Sequence, residues 1–244
     1  MLTPNDLPTF QPLYEQIRKL VVQKLEASEW KSGQIIPTEH ELSKLFGVSQ
    51  GTVRRALDEL VAENILIRRQ GKGTFVASHT EPKHQYRFLR LMAFDGVEVP
   101  AESTLLKFQR IRASESVAGL LDVKPGDVLL QIRRVLSFDG IPTVLEDISL
   151  PARMFKGLTA AKCKEHGSHI YPLLEIEYGV KMVRADEQLT AVVASVEVAK
   201  VLGVPTEFPL LSVDRIAYTY GDRPVEVRRG LYRTDRHFYM NKLG

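Results

Sequence analysis

Between residues 13 and 25 the apolar positions Leu13, Ile17, Leu20, Val21 and Leu25 recur at three- and four-residue intervals, the spacing of one face of an α-helix. Pro12 suits the first turn of that helix, and the Lys31-Ser32-Gly33 stretch ends it. "PTEHELSKLFG", 37–47, predicts a second, shorter helix, in which Thr38 and Glu41 have capping-box spacing and Gly47 stops the helix. Ser49 caps a third helix with the apolar stripe Val53, Leu57, Leu60 and Val61, while Gln50, Gly51, Arg54, Arg55 and Asp58 face away. "ILIRRQGKGTFVAS", 65–78, reads as a strand, a turn at 70–73 and a second strand. Two short helices joined by a tight glycine-containing turn, then a hairpin, predict a winged helix-turn-helix over residues 1–78. Its third helix would enter the major groove of DNA by its N-terminal end.

Gly51 sharpens that reading. A glycine inside a helix costs roughly 1 kcal/mol against alanine. In the first turn, however, the backbone N–H groups are free for phosphate, and a missing side chain lets the helix start sit close to DNA. The alternative is a tolerated defect. Arg54 and Arg55 are either DNA contacts or a solvated face. "GKG" lacks the rest of a phosphate-binding loop and reads as a wing tip.

Polar, aperiodic residues 79–87 form a linker, and 88–244 alternate strands with short helices. "VLLQIRRVLSF", Asp139-Gly140 and "IPTVLEDISL" make a hairpin; "SVDRIAYTY", "GDRP" and "VEVRRGLYR" make another. "LDVKPGDVLLQIRRV" (121–135) aligns with "LGVPTEFPLLSVDRI" (202–216) at a constant offset of 81, which pairs Arg134 with Arg215. The expected fold class is α+β: a winged helix-turn-helix, then an antiparallel-sheet domain with a pseudo-twofold repeat of helix, turn and long hairpin. A cleft between such halves is a natural ligand site.

The chain has 244 residues, 44% hydrophobic and 26% charged, as folded domains do. No apolar run is long enough to span a bilayer, the first residues have no signal-peptide pattern, and Cys163 is the only cysteine; together these point to the cytoplasm and away from a membrane. Net charge is only +3, and residues 1–63 hold 7 basic and 9 acidic side chains, so bulk charge does not argue for DNA. Positive charge is local: Arg54, Arg55, Arg68, Arg69 and Lys72.

"IPTEHELSKLFGVSQGTVRRALDELVAENILIRRQGKGTFV" resembles the DNA-binding domain of GntR-family bacterial transcription regulators, whose pattern is roughly P-S-E-R-x-L-A, V-S-R-x-T-V-R-x-A-L and a Q-G-x-G-T-F-V wing. The family's contacting arginines fall on His40, Gln50 and Arg54, so two of three are replaced here. Glutamine pairs bidentately with adenine where arginine prefers guanine, which implies a departure from the family's usual operator. Helix position and resemblance together nominate Thr38, His40, Ser49, Gln50, Gly51, Thr52, Arg54, Arg55, Gly71, Lys72 and Gly73 for DNA. "RRVLSFDGIPTVLEDISLP", "IYPLLEIEYG" and "VEVRRGLYRTDRHFYM" resemble the effector domain of the HutC branch, which shares the chorismate lyase fold. Its pattern R-x-R-x-x-x-G-x-P-x-x-x-E-x-x-x-x-P falls on Arg134, Leu136, Gly140, Pro142, Glu146 and Pro151, so the second arginine is a leucine. The terminal motif falls on Glu226, Tyr232, Arg233, Asp235 and Arg236.

The resemblance nominates Phe94, Arg134, Glu146, Ser168, His169, Tyr171, Glu226 and Tyr232 for an effector. One arginine opposite a carboxylate suits a small anionic metabolite of carboxylate type rather than a sugar phosphate. Arg134 and Glu146 also fit a plain cross-hairpin ion pair, and Asp235 with Arg236 a solvated one. Cys163, His166 and His169 have metal-ligand spacing, but Gly167 interrupts them and no fourth ligand presents itself, so no metal and no cofactor are expected. The expected partners are near-palindromic double-stranded operator DNA, the metabolite and a second copy of the chain in a homodimer. A chorismate-lyase-type enzyme fused to a DNA-binding domain, or a DNA-binding protein without an effector, are the readings from other classes.

Overall fold

The computed structural model describes residues 11–78, 88–96 and 100–241; the 79–87 linker lies outside them. The chain divides into two compact units, Met1–Ser78 and His79–Gly244.

In the first unit, α1 (Leu13–Glu26), α2 (Glu39–Phe46) and α3 (Gln50–Ala62) precede a two-stranded wing of β1 (Leu66–Arg69) and β2 (Gly73–Val76). Ile17, Val21 and Leu25 of α1 are buried in the same unit as Leu42 of α2 and Val53, Ala56, Leu57 and Leu60 of α3. Two details differ from expectation. Pro12 is the N-cap of α1 rather than part of its first turn, and α1 stops at Glu26, just before Ser28 takes a positive φ of 57°. The freed segment lies along the wing: Ile36 N–H donates to Thr74 O and Val76 N–H to Gln34 O, both at 2.9 Å.

The second unit is a six-stranded antiparallel sheet in the order β4-β5-β6-β9-β8-β7. Its first half runs β4 (Glu102–Arg112), α4 (Glu115–Leu121), β5 (Val128–Phe138) and β6 (Ile141–Pro151). Helices α5 (Ala160–Glu165) and α6 (Ile170–Tyr178) intervene, and the second half repeats the first as β7 (Arg184–Val193), α7 (Val196–Leu202), β8 (Pro209–Thr219) and β9 (Arg223–Tyr232). The 81-residue offset holds at atomic detail. Ser114 caps α4 through Val117 N–H, and Ser195 caps α7 through Val198 N–H. The pseudo-twofold passes between the central strands β6 and β9. Each repeat has one element more than expected, an edge strand, β4 or β7, ahead of its helix.

The strands' two-residue alternation sorts the faces. Leu129, Val135, Leu145 and Leu210 pack with α4 and α7. Leu130, Ile132, Ile148 and Leu150 pack with α5 and α6. On that second face the central strands also carry buried Arg134, Glu146, Arg215, Glu226 and Arg228, where an all-apolar core is the default. A short ribbon of β3 (Leu91–Ala93) and β10 (His237–Tyr239) completes the unit. No helix among the described residues is long and apolar enough to cross a membrane.

Candidate functional site

The start of α3 is held by local hydrogen bonds. Ser49 Oγ accepts from Thr52 N–H at 3.1 Å and meets Thr52 Oγ1 at 2.9 Å. Thr38 closes the capping box of α2: its hydroxyl accepts from Glu41 N–H at 3.2 Å, and its N–H donates to Glu41 Oε2 at 2.8 Å. Thr38, Ser49 and Thr52 therefore fix the two helix starts. Between them Gly51 is open. A Cβ built there meets nothing nearer than Ser49 Oγ at 3.8 Å, so no internal contact requires a glycine. Gln50 and His40, both exposed, touch through Gln50 Nε2 and His40 Nδ1 at 2.9 Å. Arg54 is exposed and its Nε donates to Glu39 Oε2 at 2.8 Å; Glu39 also holds Arg68 at 3.0 Å, and Arg68 reaches Asp58. Exposed pairs of this kind contribute about 0–1 kcal/mol, so Arg54 is readily released to a phosphate or base. Arg55 is committed elsewhere, with its guanidinium 3.8 Å from the centre of the Tyr14 ring on α1. At the wing tip Gly71 (φ 70°) and Gly73 (φ 105°) take a backbone that side chains disfavour, and Lys72 between them is exposed.

In the second unit a small cavity is lined by Phe88, Leu89, Arg134, Leu136, Glu146, His169, Ile170, Tyr171, Arg215 and Arg228. Its floor is the buried polar network of the sheet. Glu146 accepts from Arg134 Nε at 2.7 Å and from Arg228 Nη1 at 2.8 Å. Arg228 also grips Glu226 with Nε and Nη2, both at 2.9 Å, and Tyr171 Oη donates to Glu226 at 2.9 Å. Arg215 Nε donates to Glu187 at 2.6 Å and its Nη2 to Phe88 O at 2.5 Å. Arg134 Nη1 donates to Ser168 O at 2.6 Å. Burial alone would raise the Glu146 carboxyl, but Arg134, Arg228 and Arg215 hold it at about 2. Burial raises Tyr171, which stays a neutral donor. Burial, and then Arg134, lower His169, which stays neutral at pH 7. The cavity wall ends at the N-terminus of α6, where the helix dipole favours an anion.

The family model described as "UTRA domain" matches residues 98–237, and that described as "Bacterial regulatory proteins, gntR family" matches residues 13–76. The chain belongs to the GntR family. It carries the UTRA, or HutC-type, effector domain behind the winged helix-turn-helix. This GntR-family chain is 31% identical to the HTH-type transcriptional regulator YurK of Bacillus subtilis, over 92% of this chain and 93% of that protein. It is 30% identical to the mannosyl-D-glycerate transport/metabolism system repressor MngR of Escherichia coli, over 92% of this chain and 93% of that protein. The ligand-binding domain of a GntR-family transcriptional regulator from Bordetella bronchiseptica superposes with a TM-score of 0.64 at 50% identity, covering 65% of this chain and 99% of that one. These relatives are transcription regulators, not enzymes, and so is this protein.

Of the residues nominated for an effector, Arg134, Glu146, His169 and Tyr171 line the cavity, and Glu226 sits behind Tyr171. Ser168 turns its carbonyl, not a free side chain, to Arg134. Tyr232 is buried and off the cavity wall; its ring lies over Gly230, where a Cβ would come within 2.4 Å of the ring. Phe94 is 64% exposed, tilts against Phe238 and is not among the lining residues. Asp235 pairs with Arg233 at 2.7 Å, not with Arg236. The motif reading missed Arg215 and Arg228. Arg215 was visible only as the partner of Arg134 in the repeat. Arg228 had no signal, because its counterpart in the first hairpin is the acidic Glu146.

Proposed function

We propose that this regulator is a homodimeric repressor that holds a near-palindromic operator and releases it when a small carboxylate metabolite enters the cavity. The carrying observation is the pair of incompletely used guanidiniums. Nη2 of Arg134 and Nη1 of Arg215 have no hydrogen-bond partner among the described residues, whereas all three nitrogens of Arg228 are bonded. Arg134 and Arg215 are repeat mates, so an anion near the pseudo-twofold meets one donor nitrogen from each half. The second arginine that Leu136 fails to supply thus comes from β8.

Charge decides the ligand class. Arg134, Arg215 and Arg228 are already balanced by Glu146, Glu226 and Glu187. A buried carboxylate adds one negative charge to this neutral cluster; a phosphate monoester adds nearly two, at a higher desolvation cost. Tyr171 and His169 offer neutral polar contacts, and Leu136 and Ile170 an apolar wall. The relative MngR is named a repressor, which supports the direction of regulation.

The test is a thermal-shift and operator-release panel of small mono- and dicarboxylates against sugar phosphates. Stabilisation and DNA release by a carboxylate are expected. Tight binding of a sugar phosphate overturns the ligand class, and a panel without any response favours a DNA-binding protein without an effector.

A further inference from the structure

We propose that His40 is a positioning residue for base reading: it orients the side-chain amide of Gln50 so that α3 prefers adenine at one operator position. The proposal rests on the DNA-binding reading and adds to it the identity of a base-discriminating unit.

Gln50 is the first residue of α3 and His40 lies in the first turn of α2, so two helix starts meet here. The N-terminal residues of a recognition helix are those that reach base edges. An amide nitrogen cannot accept a hydrogen bond. In the 2.9 Å contact Gln50 Nε2 is therefore the donor and His40 Nδ1 the acceptor, which places the imidazole proton on Nε2. One amide hydrogen is spent on His40. What remains to face outward is the carbonyl Oε1 and the second N–H, an acceptor beside a donor.

That pair matches adenine, which offers its N6 amino donor and N7 acceptor in the major groove. Guanine offers two acceptors, O6 and N7, and leaves Oε1 facing an oxygen or nitrogen lone pair. A flipped amide would present its NH2 group and suit guanine, and it requires the imidazole proton on Nδ1 to donate to Oε1; with the proton on Nε2 the adenine-facing orientation is the one that His40 bonds. Without His40 the amide turns freely and discriminates less. Gly51, next in the chain and without a side chain, leaves room for the base edge to come close.

The experiment is selection of duplexes with randomised half-sites by the full chain, followed by titrations on adenine and guanine versions of the selected site. The proteins are wild type, Gln50→Ala, His40→Ala, the double variant and His40→Gln. Wild type is expected to prefer adenine over guanine about tenfold at one position. Gln50→Ala removes that preference. His40→Ala reduces it at the same position to about threefold or less, with affinity for other positions unchanged, and adds nothing in the Gln50→Ala background. His40→Gln, which retains an acceptor, keeps part of it. A preference lost at a different position makes His40 a base reader in its own right and overturns the proposal. So does an equal loss on every sequence, which marks a phosphate contact, or strict additivity of the two variants. Wild type failing to bind any duplex contradicts the DNA-binding reading itself, a result distinct from all of these.

Discussion

Gly51 and Arg55 show what single residues reveal and conceal. The glycine was legible in the sequence because its cost in a helix has no local compensation, and the structure finds no neighbour that needs the space. Gly51→Ala should therefore leave the first unit as stable as before, or more stable by up to about 1 kcal/mol, while weakening operator binding. A thermal melt and an anisotropy titration check both halves. Arg54→Ala should cost about 1–3 kcal/mol of operator affinity if the side chain reads a base edge. Arg55→Ala should cost much less, because Arg55 is stacked on Tyr14. Helical spacing put both arginines on the outward side but could not say that α1 passes beneath one of them. Glu146 contributes to the pH dependence of the second unit. Its carboxyl is held at about 2 against an ordinary 4.5, so the unfolded chain takes up a proton first as pH falls. The stabilisation is fully present above about pH 4.5 and is lost as pH drops toward 2. Glu146→Gln, which leaves Arg134 and Arg228 buried without their anion, should lower stability by roughly 3–5 kcal/mol at pH 7. It should also flatten the dependence below pH 4.5, and thermal melts between pH 3 and 7 would show an unchanged slope if Glu146 is not the group involved.

Elements with strong local chemistry were readable, and elements without it were not. The hairpin of β5 and β6 was announced by Asp139-Gly140, and both residues take the positive φ (49° and 71°) that a two-residue hairpin turn requires. The capping box of α2 and the Ser49 cap of α3 are present as read. The edge strands β4 and β7 escaped notice because most of their residues are partly or fully exposed, so no apolar alternation marks them. The network around Arg228 escaped for a related reason: it arises where β6 meets β9, a pairing between strands more than 70 residues apart that no local pattern encodes. The wing was legible from its glycines, and Lys72 at its tip bears a prediction of its own. Lys72→Ala should weaken all DNA sequences alike and reduce the salt slope of binding by about 0.9. An unchanged slope in titrations across salt concentrations would remove the wing tip from the phosphate contacts.

At the scale of the whole molecule two symmetries matter. Within the second unit the pseudo-twofold brings Arg134 and Arg215 to one cavity, one from each repeat. Between two copies of the chain, a true twofold would set the recognition helices about 34–36 Å apart, one turn of DNA or a multiple of it, which defines the half-site spacing that selection experiments should return. Regulation requires the ligand to distinguish two conformations, by roughly 10⁴-fold for a near-complete switch. In the proposed switch Arg134 holds the ligand's anion, and this grip drives release. That role is tested most directly by operator affinity of wild type and Arg134→Ala, each with and without the carboxylate that releases the wild type. The expected result is equal ligand-free affinity for the two proteins, with release of DNA by wild type alone, so that the variant behaves as a permanently bound repressor. Release of Arg134→Ala at the wild-type ligand concentration would contradict that role and leave Arg134 as no more than the cross-hairpin partner of Glu146.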